Sequence, residues 1–339
     1  MTENRGNGPN LDELKSVLLN IKDNPDLIRI DSIKSIMFGY ELINSNGNLE
    51  VKEIYRKKIQ LAEPVRQSIK DELIKKLEDL TQDGREFVSW ASSTNQDDLT
   101  VEVADIDFID HDLRDIVRNT DVNEILSRIS EIDKWKHKGL LTVMDINGHG
   151  KLIGISSLRE NKIAHKKKNL ISLETASGEV LLNFVSDNIK LFSIKDLFDA
   201  IYFGNKIIFI NENEFIKVFI LNGYFSDKYQ RSKDLISRFI NDPDTLYKEI
   251  NGNYKWQKKM ISIIDYVLKP ELDPLAFKTK AEEFEDLFEG KIKFDENSKI
   301  DISNSNIQKT LDLLSQSFDF APITGEKRKV FPHYRKRKI

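Results

Sequence analysis

The densest group of potentially reactive side chains is acidic and spans residues 105–112: Asp105, Asp107, Asp110, His111 and Asp112. If residues 105–107 lie on a strand, Asp105 and Asp107 point to the same face of it. Carboxylates placed in this way can bind Mg²⁺ or Mn²⁺ for phosphoryl chemistry. The alternative interpretation is a solvated strand face that leads into aspartates at the start of a helix, and we favour it.

A second candidate is the segment 145–150, which contains Asp145, Asn147, Gly148, His149 and Gly150. It has some features of a calcium loop, but it lacks the later ligands and the glutamate at position twelve of an EF-hand. It also lacks the second glycine and the Ser/Thr after lysine that a phosphate-binding loop requires. A tight β-turn explains the two glycines better.

Other catalytic patterns are missing from the sequence. Five histidines are scattered, and cysteine is absent, which excludes disulfides, cysteine-based metal centres and cysteine nucleophiles. Neither a Gly-x-Ser-x-Gly elbow nor a Gly-x-Gly-x-x-Gly loop occurs. We therefore predict a protein that is not an enzyme, with no catalytic residues, no bound metal and no cofactor.

Basic residues form three clusters that suit contact with DNA phosphates, since lysine and arginine bind the backbone without reading sequence. The second cluster is interleaved with Tyr254 and Trp256, and aromatic side chains can stack on the bases of single strands. The alternative for each cluster is a solvated loop, an ordinary amphipathic helix or a solubilising tail. The candidate DNA-binding residues are Lys162, Lys166, Lys167 and Lys168; Lys255, Lys258 and Lys259; and Lys327, Arg328, Lys329, Arg335, Lys336, Arg337 and Lys338.

The third cluster creates a marked charge asymmetry. The chain has a net charge of −4, with 52 basic and 56 acidic residues. Residues 326–338 contain seven basic residues and one acidic residue, so this short tail is strongly positive while the rest of the chain is acidic. An acidic body with a basic tail is typical of proteins that bind a polyanion through the tail.

The pattern of apolar residues predicts an α+β fold made of antiparallel β-hairpins and a sheet with helices, and a helix-rich C-terminal part. Hairpins are expected at 33–59, 140–158 and 170–184, a further short strand at 207–210, and strands at 87–91 and 99–109. Helices are expected at 11–21, 65–80, 112–118, 122–134, 214–221, 226–240, 254–268, 277–288 and 307–318. We predict domains at 1–135 and 136–325, followed by the basic tail at 326–339.

Composition places the chain among folded intracellular proteins. Of its 339 residues, 39% are hydrophobic and 32% are charged, a balance unlike that of a disordered chain. The first ten residues contain no apolar run, so we expect no secretory signal, and no segment has the ~18 apolar residues of a membrane helix. We expect a cytoplasmic protein that reaches a membrane only through a partner.

Several short segments resemble the DUF4868 domain family, to which the KwaB-like component of the Kiwa anti-phage defence system belongs. The resemblance spans residues 33–318 and consists of apolar patterning with a few polar positions. Its segments are 55–61 (YRKKIQL), 65–70 (VRQSIK), 187–191 (DNIKL), 194–201 (IKDLFDAI), 205–211 (NKIIFIN) and 214–219 (EFIKVF). The resemblance implies a bacterial antiviral protein that binds DNA, a membrane-protein partner of the same system (KwaA-like), and self-association as a homodimer or a higher homo-oligomer.

The leading hypothesis is therefore a DNA-binding effector of anti-phage defence that acts by binding rather than by catalysis. A protein-interaction component that holds a membrane partner is the first alternative, and the acidic helical segment 277–290 supports it. A metal-dependent nuclease built on Asp105 and Asp107 is the second alternative.

Overall fold

A computed structural model describes residues 10–45, 48–90, 99–109, 111–128, 137–157, 170–176, 179–184, 191–193, 197–219, 222–288, 290–315, 318–320 and 327–329. The chain divides into two compact units. The first, which we call the sheet unit, comprises Met1–Val88 and Asp98–Leu221. The second, which we call the helical unit, comprises Ser89–Asp97 and Asn222–Ile339.

The sheet unit is built on one sheet of eleven described strands, in the order β3-β4-β11-β10-β6-β5-β1-β2-β8-β7-β9. β2 and β8 pair in parallel, whereas the pairs β1–β2, β1–β5, β5–β6, β6–β10, β10–β11, β4–β11, β7–β8 and β7–β9 are antiparallel. The strands are β1 Lys34–Ser45, β2 Asn48–Leu61, β3 Glu86–Ser89, β4 Thr100–Asp105, β5 His137–Ile146, β6 Gly150–Ser157, β7 Leu170–Ala176, β8 Glu179–Phe184, β9 Leu191–Ser193, β10 Ala200–Phe203 and β11 Lys206–Phe209.

Turn chemistry explains two of the hairpins. β10 and β11 are joined by Gly204 and Asn205, with φ of 56° and 65°, which suits the type I′ turn of a two-residue hairpin. β5 and β6 are joined by a tight turn in which Gly148 and Gly150 have φ of 77° and 88°. The predicted turn at 145–150 is therefore confirmed.

Within its described residues, the sheet unit has four α-helices: α1 Leu11–Asp23, α2 Glu63–Thr81, α3 His111–Arg118 and α4 Glu212–Val218. α1 begins with a capping box, in which the Asn10 side chain accepts from Glu13 N and the Glu13 side chain accepts from Asn10 N. α2 buries the predicted apolar stripe, and this stripe joins the core with α1 and the sheet: Val65, Ile69, Leu73, Leu77 and Leu80.

The helical unit contains α5 Asn222–Arg231, α6 Lys233–Ile236, α7 Pro243–Ile250, α8 Tyr254–Ser262, α9 Pro274–Glu282, α10 Glu285–Phe288 and α11 Ile307–Leu314. A π-helical turn, Ile263–Val267, follows α8. Two short strands, β12 Phe318–Phe320 and β13 Lys327–Lys329, pair antiparallel. Stacked aromatic rings organise the core, with Phe225 and Tyr247 at a centroid distance of 5.6 Å and an interplanar angle of 3°.

The predicted α+β class is confirmed, as is the helix-rich C-terminal part. The division into units differs from the predicted domains, because β5, which begins at His137, pairs with β1 in the same sheet. Leu221 is the last residue of the sheet unit, so the change to helices after it, rather than position 135, marks the break.

Several element predictions were wrong in part. Residues 122–128 form no helix and contain an isolated parallel bridge between Lys58 and Ile125, and strand β4 ends at Asp105 before a short 3₁₀ turn, Ile106–Phe108. The predicted helix 226–240 is split into α5 and α6, and the predicted helix 277–288 is split between α9 and α10. Strand β10 was not predicted as a strand.

Candidate nucleic-acid interface

Helix α8 carries the basic cluster whose side chains the structure describes. The helix is capped by Asn253, whose side-chain oxygen accepts a hydrogen bond from Trp256 N at 3.3 Å. Gln257, Met260 and Ile261 are buried, at the three- and four-residue spacing of an inward helix face. Lys255 lies on the opposite, exposed side of the same helix.

One lysine of α8 lies over an aromatic pair. Lys258 Nζ is 5.1 Å from the ring centroid of Trp90, which is the last described residue before Leu99. Trp90 Nε1 donates to the Tyr254 hydroxyl at 3.2 Å, and the two rings are 6.2 Å apart. This geometry is a cation–π contact that fixes the position of the ammonium group.

Another lysine of α8 neutralises a buried carboxylate. Lys259 Nζ forms an ion pair with Asp312 of α11, whose side chain is only 6% exposed, against 24% for Lys259. Because an unpaired charge in this position is costly, we assign Lys259 mainly to the fold. The three lysines of the cluster therefore have different environments: Lys255 is exposed, Lys258 lies on an aromatic ring and Lys259 is paired.

The other predicted DNA-binding residues are only partly within the described chain. Lys162, Lys166, Lys167 and Lys168 lie outside the described residues, as do Arg335, Lys336, Arg337 and Lys338. Lys327, Arg328 and Lys329 form strand β13, and Phe318 of β12 is the register partner of Lys329.

The charge is divided unevenly between the two units. The sheet unit contains 30 basic and 36 acidic residues, whereas the helical unit contains 22 basic and 20 acidic residues. The helical unit is therefore net positive within an acidic protein. It includes both α8 and the C-terminal basic segment.

The acidic cluster does not form the carboxylate pair on a strand face that the metal-site alternative requires. Asp105 ends β4 and lies 2.6 Å from Lys206 Nζ, whereas Asp107 lies in the following 3₁₀ turn. Asp107 is paired with Arg114 at 2.8 Å and with Arg118 at 3.7 Å.

These cation partners already neutralise the carboxylates that the nuclease hypothesis would use for Mg²⁺ or Mn²⁺. Asp110 lies outside the described residues, His111 is the first residue of α3, and nothing is described for the side chain of Asp112. Among the described residues, no group of three or more Asp, Glu or His side chains is arranged to hold a metal.

The loop at 145–150 has a structural role. His149 Nε2 lies 3.1 Å from Asn20 Nδ2, and His149 N donates to Ile146 O at 3.0 Å. Asn147 N donates to Leu27 O at 2.9 Å, which ties the turn to the segment after α1.

Trp90 and Asp312 were not identified from the sequence. Trp90 contacts Lys258, and Asp312 forms an ion pair with Lys259. Trp90 is 164 positions from Tyr254, and Asp312 is 53 positions from Lys259. No local pattern connects residues at these separations.

Comparisons of the chain with models of protein families, with curated proteins and with solved structures found no match. Within the described part of the chain, every helix is too short or too polar to cross a membrane.

Proposed function

We propose that this protein binds DNA through its helical unit and acts by binding rather than by catalysis. The observation that carries the proposal is the net positive charge of the helical unit, which combines the basic face of α8 with the C-terminal basic segment. The role in anti-phage defence is supported by the resemblance to the DUF4868 family.

The environment of α8 favours phosphate contact over base reading. Trp90 is 2% exposed, so its ring is too buried to stack on a base, and its face is taken by Lys258. Lys255 and Lys258 would neutralise phosphates as point charges, with little dependence on sequence. The C-terminal basic residues would add further contacts of the same kind.

Fluorescence anisotropy across a salt series, with duplex and single-stranded DNA, tests this proposal. For duplex DNA, the slope of log affinity against log salt concentration should become less negative by about 0.9 for each phosphate contact that is lost. A Lys255→Gln/Lys258→Gln variant should lose up to about two such contacts. A variant with all seven C-terminal basic residues changed to Gln should lose more.

The matched control is Lys293→Gln, which removes an exposed lysine of the same unit outside α8. Its slope should equal that of the wild type. If the wild type does not bind DNA at low salt, the proposal is wrong. If the salt slope is unchanged in both test variants, neither α8 nor the C-terminal basic segment contacts the DNA.

A second candidate function, protein interaction, is favoured by the excess of acidic residues in the sheet unit. This unit is where a basic surface of a membrane partner (KwaA-like) or of another copy of the chain would bind by charge complementarity. Co-purification with a membrane protein, together with a mass measurement in solution, tests the partner and the homo-oligomer separately. Co-purification without any retention of DNA would favour this function over the first.

Catalysis can be tested with plasmid DNA and Mn²⁺. Because Asp105 and Asp107 are paired with cations, we expect the plasmid to stay intact at high protein concentration. Cleavage that is abolished by Asp105→Asn would overturn the assignment to binding alone.

A further inference from the structure

A surface cleft of about 560 Å³ lies in the sheet unit, between the first turns of α2 and the segment that follows α1. Its volume is in the range of small-molecule sites. The residues that line it are Asp26, Ile28, Ile30, Asp31, Glu63, Arg66 and Lys70.

The inner part of the cleft is cationic. Arg66 and Lys70 are four residues apart on α2 and therefore lie on one face of the helix. Lys70 is 9% exposed, and its Nζ donates to Ile28 O at 3.3 Å, with Asp26 Oδ1 4.0 Å away. An ammonium group has three N–H donors, so one carbonyl leaves it with donors to spare.

Arg66 supplies the second cation of the cleft. Its Nε atom is buried and has no hydrogen-bond partner among the described residues, and an atom without accessible surface cannot contact a ligand in the cleft. The guanidinium group has further N–H donors on its two terminal nitrogens, and these are the donors that Arg66 offers to a ligand. A guanidinium group also matches the geometry of phosphate and carboxylate oxygens.

The rim of the cleft has the opposite charge. Glu63 is exposed, and the Asp26 and Asp31 carboxylates extend into solvent. Asp31 lies 2.9 Å from Arg29 Nη2. Cations inside and carboxylates outside favour a ligand with separated charges and disfavour a polyanion such as DNA.

We infer that this cleft binds a small molecule that carries one oxyanionic group and, a few bonds away, an amino group. The oxyanion lies between Arg66 and Lys70 and accepts from the terminal N–H groups of the guanidinium and from the ammonium group. The amino group donates to the rim carboxylates, chiefly Glu63, and the apolar connecting atoms contact Ile28 and Ile30. This site is independent of the proposed DNA-binding surface, which lies in the helical unit.

Isothermal titration calorimetry of the full chain with phosphoethanolamine and with inorganic phosphate, at fixed ionic strength, tests the inference. We expect saturable binding of both, with phosphoethanolamine the tighter. Arg66→Gln should weaken both by about tenfold or more, the size expected for charge-assisted hydrogen bonds. Lys75→Gln, an exposed lysine on the same helix, is the matched control and should bind like the wild type.

Two further variants keep the test decisive. Glu63→Gln should remove the advantage of phosphoethanolamine over phosphate, and an unchanged advantage overturns the role of the rim. Arg66→Lys retains the charge without the paired guanidinium donors, so it should bind several-fold more weakly even if Arg66→Gln does not fold. The inference is overturned if the wild type binds neither probe, or if both Arg66 variants bind as tightly as the wild type.

Discussion

Replacing Lys259 with methionine tests the assignment of this lysine to the fold. Methionine keeps much of the alkyl volume of lysine but removes the charge that faces Asp312. Removing one partner of a fully buried ion pair costs about 3–5 kcal/mol. Lys259 is 24% exposed, so water partly solvates the remaining carboxylate, and we expect a loss of about 2 kcal/mol in the free energy of unfolding.

Urea unfolding followed by tryptophan fluorescence measures this loss. Trp90 and Trp256 both lie in the helical unit, so the signal reports mainly on the unit that contains the pair. If the free energy of unfolding decreases by about 2 kcal/mol for each molar of urea, the urea concentration at the unfolding midpoint should fall by about 1 M. The matched control, Lys255→Met, changes an exposed lysine on the same helix and should stay within about 0.5 kcal/mol of the wild type.

The double variant Lys259→Met/Asp312→Asn separates the ion pair from other effects of the substitution. Because it also removes the carboxylate charge that Lys259 faces, it should recover part of the stability that Lys259→Met loses. A Lys259→Met variant as stable as the wild type, but weaker in DNA binding, would refute the assignment and return Lys259 to the DNA-binding surface.

Three further predictions follow from the packing and the charges. Gly154→Ala should destabilise the sheet unit by about 2 kcal/mol, because a Cβ there would lie 2.4 Å from Phe198 Cε1. Thermal melting should show a lower melting temperature, and partial recovery in the double variant with Phe198→Leu would identify the clash as the cause. Asn10→Ala should cost about 1 kcal/mol through loss of the α1 capping box, measured by chemical unfolding, and an unchanged midpoint would contradict this. Hydrogen bonds from Asn304 and Asn241 lower the pKa of Asp301, so its contribution to stability is present above its ordinary value of 3.8 and is lost as pH falls below that value. The difference in melting temperature between Asp301→Asn and the wild type should therefore shrink from pH 6 to pH 3, and a constant difference would contradict the assignment.

Local patterns predicted the elements whose stabilising contacts are close in sequence. The α1 cap and the α2 stripe follow from short spacings, and both are present in the structure. The three long hairpins were predictable for the same reason, since each pairs neighbouring segments around a short turn.

Elements that depend on distant pairing were not predictable. Residues 122–128 have helical periodicity, yet Lys58 N donates to Glu124 O at 2.7 Å and Leu126 N donates to Lys58 O at 2.9 Å. Val180 N in turn donates to Leu126 O at 2.8 Å, so this segment is held extended beside both β2 and β8. Tertiary hydrogen bonds outweigh a weak local preference here.

The site was predictable as a cluster of charges but not as a set of roles. Sequence spacing alone treats Lys255, Lys258 and Lys259 as equivalent. Their differences come from Trp90 and Asp312, which approach α8 from other parts of the chain. The cationic residues of the cleft, Arg66 and Lys70, could not be identified from the sequence either, because on α2 they have the spacing of any pair on one helix face.

For the proposed DNA binding, the charge of the helical unit indicates which basic cluster should contribute most. Without the seven C-terminal basic residues, this unit would contain 15 basic and 20 acidic residues, so its sign depends on the tail. Seven phosphate contacts would contribute about 6 to the salt slope, against about 2 from Lys255 and Lys258. In this proposal helix α8 would position DNA that the tail has attracted, because its two lysines alone cannot offset the 20 acidic residues of the unit.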